Sequence, residues 1–435
     1  MSFDQMGLRP NLLANLKAAG ISEPTPIQTR AIPPALDGKD VMGLAQTGTG
    51  KTAAFGLPIA NALLGEGRAP EPKSVTGLIL APTRELAAQI HENLNLFLKG
   101  THLRVGVVVG GNSINPQINR LHKGYDLLVA TPGRLIDLIE RKAVRLDRTR
   151  FLVLDEADQM LDLGFIHALR QIAKLLPKDR QTLLFSATMP KQMAEIAGAY
   201  LTNPVRIEVN PPGKPADKID QRVHHVSQSE KAPLLAEMLD KHRDELALVF
   251  TRTKHGADRL ARGLEKQGFA VSAIHGNKSQ GQRTRALQSF KEGDLRILVA
   301  TDVAARGLDI PEVRHVYNFD LPNVPDNYVH RIGRTARAGR EGTAVAFCAP
   351  EEVSDLRAIE KVMGRAIPAV GNVPAAAQAA RSGGQGRPGG RPGGKPGGRA
   401  HNGGGNGGGA GAGAGKPGGA RRRRPARRGQ RSEMA

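Results

Sequence analysis

The chain has 435 residues and a mass of 46.4 kDa, more than one hydrophobic core usually holds, so two domains with additional sequence are expected. Its 62 Lys and Arg residues outnumber its 41 Asp and Glu residues, and the net charge of +21 favours a polyanionic partner such as nucleic acid or an anionic membrane. The single cysteine, Cys348, excludes an intrachain disulfide and is expected to pack in the core of a protein from a reducing compartment.

The N-terminal sequence MSFDQMGLRP has no charged leader followed by an apolar segment. No run of the chain approaches the roughly 18 apolar residues that a membrane span needs. We therefore expect a soluble cytoplasmic protein with no membrane association.

Short runs rich in Val, Ile and Leu alternate with segments of helical periodicity in residues 1–207, from about residue 40 onward. This alternation predicts βαβ units and a parallel sheet, with chemistry at the carboxyl ends of the strands. The proline-rich segment 208–218 predicts a linker. A second alternating series predicts a second α/β domain at residues 219–367.

Residues 368–435 lose the large apolar side chains, and Gly, Ala, Pro and Arg replace them. Residues 371–435 contain 13 Lys and Arg, one Glu and no aromatic residue, so this segment carries +12 of the net charge. Its composition predicts a disordered basic tail. The tail is either an electrostatic anchor for a polyanion or a solubilising extension.

The segment AQTGTGKT at 45–52 lies between a predicted strand and a predicted helix, as a phosphate-binding loop requires. Its glycines let backbone N–H groups surround phosphate oxygens, Lys51 can reach the β and γ phosphates, and Thr52 can bind Mg²⁺. Ala45 stands where the general pattern has glycine, and a glycine-rich turn is the alternative. The predicted nucleotide contacts in the loop are Gln46, Thr47, Gly48, Thr49, Gly50, Lys51 and Thr52.

Two acids end a second apolar run, FLVLDEAD. Asp155 can hold Mg²⁺ through water, and Glu156 can orient and deprotonate an attacking water. A solvated acidic loop is the alternative for a pair of acids alone. Together with a phosphate-binding loop about a hundred residues earlier, these acids predict a nucleoside triphosphatase.

Five short motifs resemble those of DEAD-box RNA helicases in their order and spacing. They are PTREL at 82–86, TPGR at 131–134, DEAD at 155–158, SAT at 186–188 and HRIGRTAR at 330–337. The resemblance covers about residues 3–350 and implies two RecA-like domains in tandem, with ATP and Mg²⁺ as cofactors and RNA as partner. The opening MSF, the stretch AQTGTGKTAAFGLP and the basic tail look most like the bacterial RhlE type.

The resemblance implies an adenine-recognition motif at residues 20–28, GISEPTPIQ. In it, Gln28 would present its amide to the adenine edge and Phe3 would stack on the base. A proline-rich turn with an incidental glutamine explains the same letters equally well.

The segment HRIGRTAR has three arginines within a predicted helix and no acid beside them. The resemblance assigns Arg334 and Arg337 as fingers on the γ phosphate and His330 and Arg331 as links between the domains. A solvated basic helix face is the alternative. Ala336 stands where the family has glycine, and in a helix alanine is favourable.

The resemblance also assigns Asp309 to the ATP ribose and a coupling role to Ser186 and Thr188, together with Asp158. Residues after the apolar runs offer N–H groups and cations to phosphates, and the resemblance adds matching contacts in the second domain. Each of these residues alone could be ordinary surface. The predicted RNA contacts are Thr83, Arg84, Gly110, Gly111, Thr131, Arg134, Arg252, Gln280, Arg283 and Thr301.

With 3% aromatic residues and no tryptophan, base stacking cannot dominate, so binding should follow the RNA backbone without regard to sequence. We predict RNA-stimulated ATP hydrolysis that separates short duplexes locally. The protein is expected to be a monomer that acts on ribosomal precursors or in RNA degradation. Two alternatives remain: an RNA clamp or annealing chaperone, and a DNA helicase of the same superfamily.

Overall fold

The computed structural model describes residues 1–45, 48–67, 69–189, 191–209, 219–305, 310, 313–336 and 341–371. These residues form two α/β domains in tandem, each with a seven-stranded sheet. Every strand pairing in both sheets is parallel, which confirms the predicted fold class. Residues 210–218 of the predicted linker and residues 372–435 of the predicted tail lie outside the described residues.

The first domain opens with a short 3₁₀ helix at Phe3–Met6. Its strands are β1 Val41–Leu44, β2 Val75–Leu80, β3 Val105–Val108, β4 Tyr125–Ala130, β5 Phe151–Leu154, β6 Gln181–Ser186 and β7 Val205–Glu208. Its helices are α1 Pro10–Ala18, α2 Pro26–Leu36, α3 Lys51–Glu66, α4 Arg84–Phe97, α5 Ile114–Leu121, α6 Pro132–Glu140, α7 Ala157–Asp162, α8 Ile166–Leu175 and α9 Lys191–Tyr200.

The second domain repeats this plan. Its strands are β8 Ile219–His225, β9 Ala247–Phe250, β10 Val271–Ile274, β11 Ile297–Ala300, β12 His315–Asn318, β13 Gly342–Cys348 and β14 Ala369–Val370. Its helices are α10 Lys231–Asp240, α11 Lys254–Glu265, α12 Gln280–Glu292, α13 Asp302–Ala305, α14 Pro325–Ile332 and α15 Val353–Met363, with a 3₁₀ turn at Pro350–Glu352.

The two sheets have the same topology. The strand order is β3-β4-β2-β5-β6-β1-β7 in the first and β10-β11-β9-β12-β13-β8-β14 in the second, so each strand has a counterpart. Because the strands are parallel, all their carboxyl ends lie at one edge of each sheet, where ligands of such folds bind. The kinship between the halves is therefore one of architecture.

Both faces of each sheet are covered by helices. In β2, Ile79 belongs to one buried apolar cluster, while its neighbours Leu78 and Leu80 belong to another. In β11, Val299 and Leu298 likewise fall in different clusters. Burial on both faces explains why these strands have nearly continuous apolar sequences. Cys348 is buried and its thiol is free, as expected of core packing.

Two domain boundaries differ from those read from the sequence. Strand β7 continues through Glu208, which the sequence had placed in the linker. Strand β14, at residues 369–370, pairs with Val223 and His224 of β8, so the second domain extends past residue 367 into the predicted tail. A strand of two residues has too little periodicity to be recognised in a sequence. Within the described residues, no helix is both long and apolar enough to cross a membrane.

Candidate active site and nucleic-acid interface

The loop between β1 and α3 is shaped by two glycines. Gly48 and Gly50 have φ angles of 85° and 86°, in the left-handed region that glycine adopts without steric cost. A Cβ atom on Gly50 would lie 2.3 Å from Nε2 of Gln28, so this position also excludes a side chain sterically. Gln46 and Thr47 lie outside the described residues, and Thr52 is the second residue of α3.

Lys51 is the buried cation of the site, with 5% of its surface exposed. Its Nζ lies 3.3 Å from the carbonyl oxygen of Ala45, 3.7 Å from Oδ1 of Asp155 and 3.9 Å from Oε1 of Glu156. Burial lowers the pKa of Lys51, but the neighbouring carboxylates outweigh burial and raise it above its ordinary value. Lys51 therefore stays charged.

Asp155 and Glu156 follow β5 at the carboxyl end of the sheet, and both are buried. Burial raises the pKa of Asp155 above its ordinary value, and Lys51 opposes that rise. The backbone N–H of Glu156 donates to Oδ1 of Asp155 at 3.0 Å. Glu156 has a φ of 51°, a conformation that costs about 1–3 kcal/mol in a residue other than glycine and that recurs at functional sites.

The predicted coupling residues of the first domain do meet. Oδ2 of Asp158, in α7, accepts from the backbone N–H of Thr188 at 2.9 Å and from its hydroxyl at 2.9 Å. The same oxygen accepts from the N–H of Ala187 at 3.2 Å. The hydroxyl of Ser186 donates to the carbonyl oxygen of Thr188 at 2.6 Å. These bonds fix the segment after β6 to the acids of the site.

Gln28 is oriented by the chain itself. Its Oε1 accepts from the backbone N–H of Thr25 at 2.9 Å, and its Nε2 donates to the carbonyl oxygen of Gly50 at 3.0 Å. The hydroxyl of Thr25 also donates to the carbonyl oxygen of Thr49 at 2.8 Å. The residue that the resemblance assigned to adenine thus braces the phosphate-binding loop. Phe3 is 4% exposed and packs in the apolar core, so its ring is not presented as a stacking platform here.

The arginine segment is not one helix, which corrects the sequence-based expectation. Helix α14 ends at Ile332, and Arg334 and Ala336 follow it. Ala336 has a φ of 57°, so the argument that alanine is favourable there as a helical residue was wrong. Arg334 is 5% exposed and His330 is half-buried. Arg337 and Asp309 lie outside the described residues.

Arg331 has an acid partner that the sequence did not reveal. Its Nε and Nη2 donate to the two carboxylate oxygens of Asp302 at 2.6 and 2.8 Å, and its Nη1 donates to Oδ1 of Asn318 at 3.0 Å. Its guanidinium also lies 4.9 Å from the ring centroid of Phe250. All these partners belong to the second domain, and Arg331 is 2% exposed. In this conformation it holds α13, β12 and α14 together rather than linking the two domains.

A cleft of about 460 Å³ lies between the domains and collects most of the predicted RNA contacts. The predicted residues that line it are Thr83, Arg84, Gly110, Thr131, Arg134 and Arg283. Gly111 adjoins them with a φ of 79°, and a Cβ atom there would lie 1.8 Å from Nη1 of Arg84. Gly111 therefore makes room for the Arg84 guanidinium. Both terminal nitrogens of Arg134 donate to the carbonyl oxygen of Asn112 at 3.1 Å.

Glu85 bridges the cleft and was not predicted from the sequence. Its Oε1 lies 3.0 Å from Nη2 of Arg283 and accepts from Nε2 of Gln280 at 3.1 Å. In the sequence, Glu85 reads as an ordinary acid in the first turn of α4. Phe165 and Lys278 also line the cleft and were missed. Lys278 lies two residues before Gln280, and this proximity was the available signal.

Four predicted contacts are not among the residues that line the cleft: Gly111, which adjoins them, Gln280, which is bonded to the lining residue Glu85, and Arg252 and Thr301. Arg252 donates to Glu352 at 3.2 Å and to Asp355 at 3.2 Å, and it faces a separate groove of the second domain. Thr301 is 9% exposed and precedes α13. Val303 of that short helix lines the cleft, so Thr301 is adjacent to it.

The fold and the site define a class: a nucleoside triphosphatase with a phosphate-binding loop, two RecA-like domains and a basic cleft. Two family models match the chain. The DEAD/DEAH box helicase model covers residues 25–196, and the helicase conserved C-terminal domain model covers residues 230–339.

Named relatives extend this match to most of the chain. The ATP-dependent RNA helicase CshA of Limosilactobacillus reuteri is 46% identical over 362 residues, 83% of this chain and 72% of the relative. The DEAD-box ATP-dependent RNA helicase CshA of Bacillus subtilis (strain 168) is 45% identical over 365 residues, 84% of this chain and 73% of the relative.

Solved structures agree with the relatives. S. cerevisiae Dbp5 bound to RNA and ADP BeF3 is 35% identical with a TM-score of 0.75, covering 85% of this chain and 95% of that one. The DEAD-box helicase Mss116 bound to ssRNA and UDP-BeF is 29% identical with a TM-score of 0.77, covering 86% and 80%. This chain belongs to the DEAD-box family of ATP-dependent RNA helicases.

Substituting Gly111→Ala is expected to weaken RNA binding at least about tenfold, because the new Cβ atom displaces the Arg84 guanidinium and one charge-assisted hydrogen bond is worth roughly 1.5–3 kcal/mol. Fluorescence anisotropy with labelled single-stranded RNA measures the affinity. Gly100→Ala is the matched control, since Gly100 has a φ of 75° but no atom within 4 Å of the place where a Cβ atom would lie. Equal losses in both variants would attribute the effect to backbone strain instead.

Substituting Ala336→Gly is expected to raise the free energy of unfolding by roughly 0.5–1 kcal/mol, because glycine relieves the positive φ at the cost of a more flexible unfolded chain. Urea denaturation measures the change. The same substitution at Ala232, exposed in α10, serves as control and should lower stability by up to about 1 kcal/mol. A lower free energy of unfolding in Ala336→Gly would show that the backbone is not strained at this position.

Proposed function

We propose that ATP hydrolysis takes place at the end of the first sheet, with Lys51 on the β and γ phosphates and Glu156 as the group that orients the attacking water and takes its proton. The observation that most supports this is the buried position of Lys51 within 4 Å of Asp155 and Glu156. A buried cation beside two acids at the carboxyl end of a parallel sheet is suited to an anionic ligand that arrives with a metal ion. Gln28 acts through the loop that it braces, at Gly50.

Mg²⁺ is proposed as the metal cofactor. The donors present are the hydroxyl of Thr52 and the buried carboxylate of Asp155, which are hard oxygen ligands of the kind that Mg²⁺ prefers, so they fit. When bound, Mg²⁺ would neutralise charge on the phosphate oxygens. The carboxylate of Asp155 lies beside Lys51, and Lys51 remains charged and so can bind the phosphates.

The second domain is proposed to complete the site when the two domains close. Arg334 and Arg337 would contact the γ phosphate and Asp309 the ribose, in roles taken from the family. Arg331 fixes the end of α14, which Arg334 follows, through its hydrogen bonds to Asp302 and Asn318. Because the site is divided between domains, RNA that binds both would favour closure and so stimulate hydrolysis.

The cleft is proposed to bind the sugar–phosphate backbone of single-stranded RNA. Arg84, Arg134 and Arg283 supply charge there, and Gly110 and Gly111 bring backbone N–H groups near. Phe165 is the aromatic side chain that lines the cleft among its described residues. Such contacts read no bases, which supports binding independent of sequence.

The Asp158 network is proposed to couple the two functions. Asp158 lies beside the hydrolytic acids, and its bonds to Thr188 fix the segment that leaves β6. A change in the bound phosphates can thus alter the segment after Ser186. Closure on one strand of a short duplex would then separate a few base pairs, and hydrolysis would reopen the clamp and release RNA.

We further propose, from the sequence, a type within the family, a class of RNA target, an oligomeric state and a location. The opening MSF, the loop sequence and the basic tail favour the RhlE type within the family, although the relatives described above are named CshA. A role with ribosomal precursors or in RNA degradation, a monomeric state and a cytoplasmic location are proposed on the same footing. Residues 372–435 are proposed to anchor RNA electrostatically.

Glu156→Gln is expected to lower RNA-stimulated ATP hydrolysis by about 10²–10⁴-fold, because the amide cannot accept the proton of the attacking water. Phosphate release is measured with no polymer, with single-stranded RNA and with single-stranded DNA. Glu140→Gln, at the exposed end of α6, is the matched control and should behave as wild type.

The polymer controls separate the rival functions. Stimulation by RNA but not by DNA supports the proposal, whereas equal stimulation by DNA favours a DNA helicase of the same superfamily. Hydrolysis without strand separation of a short RNA duplex favours a clamp or annealing chaperone.

Deleting residues 372–435 is expected to weaken RNA binding and flatten its salt dependence, since each lost phosphate contact reduces the logarithmic slope by roughly 0.7. Binding is measured between low and physiological salt. A chain of equal length with the tail Lys and Arg changed to Ser controls for tail length. An unchanged slope would support the solubilising extension instead.

A further inference from the structure

Two histidines and a glutamate meet in the second domain, away from the nucleotide site and the cleft. His242 and Glu245 lie in the turn after α10, and His315 is the first residue of β12. His315 pairs in register with Ala247, the first residue of β9. The three side chains therefore lie at the amino-terminal edge of the second sheet, whereas the residues for ATP and RNA follow the carboxyl ends of strands. We call them the HEH cluster.

The donor atoms of the HEH cluster all lie within 4.8 Å of one another. Oε2 of Glu245 is 3.4 Å from Nδ1 of His242 and is hydrogen-bonded to Nε2 of His315. The two imidazole rings have centroids 4.4 Å apart. Zinc bonds of about 2.0–2.2 Å put tetrahedral ligands about 3.3–3.6 Å apart, so small side-chain rotations would bring the three donors to that spacing.

The exposure of the three residues suits an ion-binding site with open access. The side chain of His315 is 7% exposed, while those of His242 and Glu245 are 45% and 43% exposed. The hydrogen bond between Glu245 and His315 already places these two side chains in contact. One buried donor and two exposed ones would leave a fourth position for water.

We propose that His242, Glu245 and His315 bind a zinc ion or a chemically similar first-row divalent ion. Two imidazoles and one carboxylate are a donor set of this class, whereas Mg²⁺ prefers oxygen ligands alone. The nearby Arg314 opposes a cation, but its Nη1 donates to the carbonyl oxygen of Glu341. The bound ion would tie the turn after α10 to β12 and stabilise the second domain.

The test is a zinc titration of the untagged full-length protein against a chromogenic chelator, in excess Mg²⁺. His242→Ala and Glu245→Gln change exposed side chains and should lower zinc affinity at least about tenfold. His255→Ala, exposed in α11, is the matched control and should retain the wild-type affinity. Cobalt bound in place of zinc should give visible absorption of a four-coordinate site that both cluster variants lose.

Thermal unfolding gives an independent readout. Zinc should raise the melting temperature of the wild type and of His255→Ala, and it should not raise that of His242→Ala. Melting of the variants without zinc checks that they fold. Equal zinc affinity in the wild type and both cluster variants, or the same loss in His255→Ala, would overturn the proposal and leave an ordinary His–Glu hydrogen bond at this edge.

Discussion

Four ionisable side chains buried in one place set the central constraint on this molecule. Lys51, Asp155, Glu156 and Asp158 are each at most 5% exposed, and removing a charge from water costs several kcal/mol even after relaxation. Lys51 compensates part of the excess negative charge, which is why its pKa is raised despite burial. The negative charge that Lys51 leaves uncompensated favours binding of a metal cation together with the anionic phosphates. Keeping these groups in position requires the surrounding hydrogen bonds of Gln28 and Asp158.

The two sheets share one topology, and residues of both domains line the cleft. In both domains most of the cleft residues lie in the loops and helix starts that follow the carboxyl ends of the strands. Within the cleft, Glu85 forms an ion pair with Arg283 and a hydrogen bond with Gln280, two residues that the resemblance assigned to RNA contact. A carboxylate resembles a phosphate in charge and in its hydrogen-bond geometry with arginine. RNA phosphates that reach Arg283 must therefore compete with a carboxylate of the first domain.

The sequence predicted those features that depend on local pattern. The strands, the loop at 45–52, the acids at 155–156 and most of the cleft follow from apolar runs with polar residues just after them. It could not predict contacts between distant segments. The bond of Gln28 to Gly50 spans 22 residues, and the hydrogen bond between Glu245 and His315 spans 70. Such partners are brought together by the tertiary fold, which a local sequence pattern does not specify.

The arginine segment shows why residue type alone could not separate structural from functional roles. Arg331 is paired with Asp302, a partner 29 residues away in sequence, which neither its residue type nor its place in the motif indicated. Beyond the helix, the hydroxyl of Thr335 donates to the carbonyl oxygen of Val313 at 2.5 Å and leaves no room for a side chain at Gly342, where a Cβ atom would lie 2.0 Å from that hydroxyl. Because Thr335 is fixed in this way, Ala336 can keep a φ of 57° without glycine. The surrounding contacts thus maintain a backbone conformation that costs about 1–2 kcal/mol in a residue other than glycine.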